Sequence, residues 1–291
     1  MSQLPCVLLL GCGYVGQQFL YNAKDQGWRL IATSRDAARV EHWHSQGYEA
    51  MQMEEPPAIL NDSRLSDVTV IIDSIPLARQ PIHATQGDWA ASLLSRCPRL
   101  QHVIYLSSTS VYGDASGEWV DESWHCQPTS IRGQHRLLAE QVWQQLCHNH
   151  KIAYSIFRLA GIYGPQRNIH AKLKAGGYRA VRWQPEHYSN RIHVDDVVQA
   201  LSAAISTVAT GVYNISDDLP LPHADYVSQL ADCLGAPAPW IISPEEGAVQ
   251  LSPAMLSFFK DNKRLNNKRF HQDLCAVLRY PNFLTAIESL Q

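Results

Sequence analysis

Residues 6–16 read Cys6-Val7-Leu8-Leu9-Leu10-Gly11-Cys12-Gly13-Tyr14-Val15-Gly16. Five apolar residues ended abruptly by glycine form a strand buried on both faces. The G-x-G-x-x-G that follows leaves out side chains at three points of a tight strand-to-helix turn, and Tyr14 to Asn22 continues as the helix. A second strand, Arg29 to Thr33, starts at the expected spacing of about 20 residues. In that setting Gly11 permits the turn, Gly13 lets backbone approach a pyrophosphate, and Gly16 lets helix pack on strand. The free N–H groups beside Tyr14 and Val15 then face the anion along the helix dipole. A bare glycine turn between core elements is the plainer reading, and the strand, helix and second strand around the loop argue against it.

Working outward, short apolar runs alternate with helix-length amphipathic stretches as far as about residue 160, the pattern of βαβ units on a parallel sheet. Val7 to Leu10, Arg29 to Thr33, Val68 to Asp73, His102 to Ser107 and Ala153 to Arg158 are the strands. A helix from Arg132 to Cys147 carries Leu138, Val142 and Leu146 on one face. The fold class expected is α/β, a Rossmann-type doubly wound parallel sheet with a smaller C-terminal substrate lobe. Residues 1–165 form the nucleotide domain, re-entered by 190–210, and 166–189 with 211–291 form the lobe.

The second strand ends Thr33-Ser34-Arg35, with no acid where one would hold a ribose 2′-hydroxyl. Ser34 and Arg35, helped by Arg39, can hold a 2′-phosphate, since guanidinium meets phosphate through two bonds. The cofactor expected is therefore NADP, or else NAD, with Arg35 as a solvated loop residue the alternative.

With 45% hydrophobic and 18% charged residues, a net charge of −3 and no basic run, composition argues against nucleic acid or an anionic membrane as partner. Seven cysteines without a C-x-x-C pair read as reduced thiols. The apolar run is too short for a signal peptide or span, so a cytoplasmic location is expected. No histidine spacing signals a metal.

Four stretches together carry a resemblance: the glycine loop; Leu106-Ser107-Ser108-Thr109-Ser110-Val111-Tyr112-Gly113; Arg158 with Gly161-Ile162-Tyr163-Gly164-Pro165; and Arg191-Ile192-His193-Val194-Asp195-Asp196. Over nearly its whole length the chain resembles the extended short-chain dehydrogenase/reductases, the nucleotide-sugar epimerases and dehydratases. The resemblance implies that Ser108 polarises the reacting oxygen. It also implies a Tyr-x-x-x-Lys pair, and here the pattern fails. Alignment on Leu137-Leu138-Ala139-Glu140-Gln141 places Arg132 at the tyrosine and Arg136 at the lysine. Guanidinium stays protonated and cannot act as a general base. The two arginines share a helix face at i, i+4 and invite an anion between them; a solvated face is the alternative.

Tyr112 and Tyr163 lie in motifs that border the family's active-site cleft, and Arg191 is the candidate for a substrate diphosphate. Ser74, in Ser74-Ile75-Pro76, is expected beside the cofactor's ribose. Asp195 or Asp196 is expected to cap the helix that follows. The function implied is an oxidoreductase or nucleotide-sugar epimerase/dehydratase with an altered active site, acting on a small nucleotide-linked substrate, with a homodimer left open. The rival is a non-catalytic dinucleotide sensor.

Overall fold

The computed structural model describes residues 4–75 and 85–290; Pro76 lies outside them. The chain divides into two units, the first made of the chain up to Ser108 with Gln134–Arg158 and Val198–Tyr213, the second of Thr109–Gly133, Leu159–Val197 and Asn214–Gln291.

The first unit is built on a seven-stranded sheet. Its strands are β1 (Cys6–Leu10), β2 (Arg29–Ser34), β3 (Glu49–Gln52), β4 (Val70–Asp73), β5 (His102–Ser108), β6 (Ala153–Leu159) and β7 (Gly211–Ile215), in the spatial order β7-β6-β5-β4-β1-β2-β3. From β3 to β5 every neighbour is parallel, with Leu8 beside both Ile31 and Ile71. Order reversal at β1 makes this a doubly wound sheet, whose ligand crevice opens at the carboxyl ends of the strands. The core needs no polar residue over most of its extent: Leu8, Leu10, Ile31, Ile71, Val103 and Ile156 are each fully buried.

Helices α1 (Tyr14–Asn22), α2 (Ala37–Ser45), α3 (Thr85–Arg96) and α4 (Ile131–His150) connect the strands. Strand β4 starts at Val70 rather than Val68, because the Val68 N–H closes a turn onto the Leu65 carbonyl. Strand β3 was not marked by hydrophobic pattern: Glu-Ala-Met-Gln is short, with polar ends, as an edge strand is.

The second unit has its own core of Tyr163, Leu173, Ala180, Tyr226, Val227, Leu230 and Phe283. Three short parallel ladders brace it: Gly161–Tyr163 with Arg191–His193, Arg179–Val181 with Trp240–Ile242, and Trp119–Val120 with Arg264–Leu265. The helix Val194–Thr207 follows directly on one of these strands. Here the capping expectation is corrected. His193 Nδ1 accepts the Asp195 N–H, so an imidazole caps the helix, and the buried Asp196 carboxylate accepts N–H groups from Arg279 and Tyr280 instead. Burial lowers the His193 pKa to about 4. The ring is thus neutral near pH 7, its Nδ1 is an acceptor, and Nε2–H donates to Ser289 Oγ at 3.1 Å.

All seven cysteines are free, and among the described residues no helix is long and apolar enough to cross a membrane.

Candidate cofactor and ligand sites

The glycine loop runs from β1 into α1. Gly11 has φ +71°, a conformation that side chains disfavour, and a Cβ there would stand 3.1 Å from the Ile75 backbone. At Gly16 a Cβ would press to 3.2 Å from Cys12 Sγ, so this glycine leaves room for the loop's cysteine side chain rather than for a strand. Gly13 is different: a Cβ would meet only the Gly11 carbonyl, at 3.7 Å. Internal packing does not require glycine at that point; a close pyrophosphate would. Gly13 is also the N-cap of α1, with no side-chain cap and no acid in the first turn. The N–H groups of Tyr14, Val15 and Gly16 start this helix, and the positive end of its dipole is left to an anion. The residues therefore fit a dinucleotide pyrophosphate. Thr33, wholly buried, fastens the loop, donating to the Leu9 carbonyl and accepting the Gly11 N–H.

At the end of β2, Ser34 Oγ accepts the Asp36 N–H, and Asp36 caps α2 through the N–H groups of Ala38 and Arg39. The first acid after β2 is thus engaged as a helix cap. Arg35 and Arg39 are exposed. Burial pushes the Cys12 thiol up to about 12, and the charge of Arg39 acts against that rise, which puts Arg39 within electrostatic reach of the glycine loop.

At the ends of β4 and β5 the polar groups hold one another. Ser74 Oγ bonds the carbonyls of Leu10 and Gly11 and so braces the loop. Asp73, buried, accepts Trp143 Nε1–H at 2.9 Å and the Ile75 N–H; burial raises its pKa. Ser107 donates to Glu140, which is paired with Arg158 at 2.8 Å, all three buried. Ser108, half-buried, closes β5. Arg136, expected from sequence to stand where the family has its lysine, donates from one Nη to Tyr105 Oη at 3.0 Å and to the Leu106 carbonyl at 2.8 Å. Arg132, one turn earlier on α4, is exposed.

Sequence reading missed Glu140 as a partner. Its signal was a lone acid between Ala139 and Trp143, both buried positions of the helix.

In the second unit Tyr112 donates to Asn214 Oδ1 at 2.6 Å, and Asn214 Nδ2 in turn bonds the carbonyls of Val120 and Asn266. Tyr112 is a buried strut. Tyr163 is 4% exposed, yet among the described residues its hydroxyl has no partner. Burial, then Asp217, Tyr226 and Asp196, raise its pKa, so it stays a phenol. The Arg191 guanidinium lies 3.5 Å from the Tyr226 ring centre, with Nε buried and likewise unpartnered among the described residues. Asp217 is buried beside them in electrostatic terms, its pKa raised well above the ordinary value by burial and lowered in part by Arg191. Buried polar atoms are nearly always bonded. Tyr163 Oη and Arg191 Nε are exceptions among the described residues.

The model of the NAD dependent epimerase/dehydratase family matches residues 7–216. Protein YeeZ of Escherichia coli K12 is 27% identical over 246 residues, covering 80% of this chain and 85% of its own. A functionally unknown conserved protein of Silicibacter pomeroyi superposes with a TM-score of 0.85 at 35% identity, covering 99% of this chain and 98% of that one. A UDP-glucuronic acid 4-epimerase of Bacillus cereus, solved with NAD, has a TM-score of 0.72 at 19% identity, covering 98% and 96%, a likeness of fold alone.

Proposed function

We propose, for a chain that belongs to the NAD dependent epimerase/dehydratase family, that it binds NADP, or NAD, and acts on a nucleotide-linked sugar with altered proton chemistry. The observation that carries this reading is the uncapped start of α1, bare of a side chain at Gly13. Gly11 to Gly16 hold the pyrophosphate. Ser34, Arg35 and Arg39 favour the 2′-phosphate, because the first acid available, Asp36, is engaged with its own helix.

When bound, the nicotinamide supplies a hydride acceptor or donor. Ser108 donates to the reacting substrate oxygen. The proton step does not run through the positions of the family pair: Arg132 and Arg136 remain protonated, and Arg136 is held by Tyr105 and Leu106. Arg191 and Tyr163 meet the nucleotide-linked part of the substrate, with the Nε and hydroxyl that lack a partner among the described residues as the contacts. The fold shared with a UDP-sugar epimerase supports that substrate class by analogy.

A second reading, a dinucleotide sensor without turnover, is favoured by the engagement of Arg136 within its own unit.

The test is a thermal melt with NADPH and NADH, followed by incubation with a panel of sugar nucleotides. A ligand that binds only the folded state raises the midpoint, and NADPH is expected to raise it more than NADH. Turnover abolished by Ser108→Ala supports the enzyme. A cofactor shift with no turnover of any sugar nucleotide moves the assignment to the sensor, and no shift with either cofactor ends both readings.

A further inference from the structure

In the first unit the end of β4 forms a floor for the glycine loop. The Gly11 carbonyl, in a turn with φ +71°, accepts from two donors, the Gly13 N–H at 2.6 Å and Ser74 Oγ at 2.5 Å. Ser74 is itself fixed to β1, its N–H donating to the Leu10 carbonyl at 2.9 Å. Ile75 lies so close that a Cβ on Gly11 would stand 3.1 Å from its Cα and 3.2 Å from its N. Ser74 and Ile75 thus support the turn and draw the Gly11 oxygen towards β4.

The direction of that oxygen matters for an anion. A glycine peptide rotates at little steric cost. Released from Ser74, the Gly11 carbonyl would be free to add its negative end to a turn whose N–H groups are needed by a pyrophosphate. The floor must therefore be fixed if the loop is to stand ready.

Asp73 fixes it. One carboxyl oxygen accepts the Ile75 N–H at 3.0 Å, and the other accepts Trp143 Nε1–H from α4 at 2.9 Å. Asp73 is 2% exposed and Trp143 1%. An apolar residue would fill this place without the penalty of burying a carboxyl group. What the carboxyl adds is two directed bonds, which join the floor of the loop to α4. That helix is in turn held to β5, where Arg136 meets the Tyr105 hydroxyl and the Leu106 carbonyl.

We propose that Asp73 is a positioning residue for the pyrophosphate: with Trp143 it locks Ser74 and Ile75 where they turn the Gly11 carbonyl away from the anion. The role rests on the dinucleotide part of the function proposed above and extends it to a buried side chain beneath the loop. Loop rigidity then depends on one carboxyl group even when no cofactor is present.

The experiment uses the full chain carrying Asp73→Asn. The amide keeps the shape but has one acceptor oxygen and a donor nitrogen, so it cannot serve two N–H groups. Hydrogen exchange of the cofactor-free protein, read by mass spectrometry, is expected to quicken about tenfold at residues 11–16, the scale of one lost buried hydrogen bond. Residues 103–106 of β5 should exchange as in wild type. Binding of NADPH, or of NADH if wild type prefers it, followed by nicotinamide fluorescence where the variant is folded, should weaken by about tenfold as well. If Asp73→Asn does not fold, as judged by melting, Trp143→Phe takes its place, because it removes only the bond from α4 and keeps an aromatic ring. Exchange that rises equally in the loop and in β5 would show a general loosening and overturn the proposal. So would cofactor affinity within about twofold of wild type in the folded variant. A wild type that binds neither cofactor ends the dinucleotide reading and this role together, whereas the other two results end the role alone.

Discussion

Two regions of this molecule handle buried polarity in opposite ways. In the first unit, below the ends of β4 and β5, the buried side chains of Asp73, Ser107, Glu140 and Arg158 each find a partner inside the chain, as do Ser74 and Arg136 beside them. In the second unit, Tyr163 Oη, Arg191 Nε, His187 Nδ1 and Trp183 Nε1 find none among the described residues. An internally bonded group stabilises the fold and has little left to offer a ligand. An unbonded buried group costs stability until a ligand arrives. Polar residues in a motif thus separate into those bonded within the fold and those with a polar atom unmet among the described residues, and residue type alone does not say which.

The comparison breaks hardest at Arg158. Arg158→Met leaves Glu140 buried without its ion-pair partner, and unfolding by denaturant should show a loss of about 3–5 kcal/mol; a loss below about 1 kcal/mol would mean the pair contributes little to this unit.

His102 gives the next effect, through pH. Burial lowers its pKa from 6.5 to about 4. The folded pKa lies below the unfolded one, so the stability it confers is fully present above pH 6.5 and is lost as pH falls towards 4. That loss amounts to roughly 3 kcal/mol for a shift of this size. Stability measured at pH 7 and pH 4.5 should fall further in wild type than in His102→Gln, which cannot take up that proton; equal falls would place the acid sensitivity elsewhere.

Arg136→Ala should cost about 1–3 kcal/mol of stability by leaving the Tyr105 hydroxyl and Leu106 carbonyl unmet, while NADPH affinity changes less than about twofold. A large loss of affinity at unchanged stability would instead give Arg136 the ribose-binding role that the family's lysine has.

The smallest effect sharpens the other side. Tyr163→Phe removes a hydroxyl with no partner among the described residues, so stability should hold or rise by up to about 1 kcal/mol, and affinity for a UDP-sugar should fall. A clear loss of stability would show the hydroxyl already satisfied.

The position of the glycine loop, most of the central strands and the long helix α4 were legible because each depends on local pattern: apolar runs, glycines at a fixed spacing, a helical stripe. Strands β3 and β7 were not: both are sheet edges, β3 short and polar-ended, and β7 falls in the stretch from residue 211 onward that was read as lobe. In the candidate site, that position 132 carries no general base could be read directly, because no fold turns a guanidinium into a base. That Arg136 bonds Tyr105 and the Leu106 carbonyl could not.

Sequence by itself determined most of the sheet-forming units, the glycine turn from the first strand into the first helix and the presence of an arginine at position 132, all properties of residue type and near-neighbour spacing. Tertiary structure alone decided that Asp196 caps the 279–280 backbone rather than its own helix, that Ser74 braces the loop, and that Tyr163 and Arg191 keep polar atoms in hand. The reason is that a hydrogen bond across 83 residues of chain, as from Arg279 to Asp196, depends on where the fold brings two groups, and no local pattern encodes that meeting.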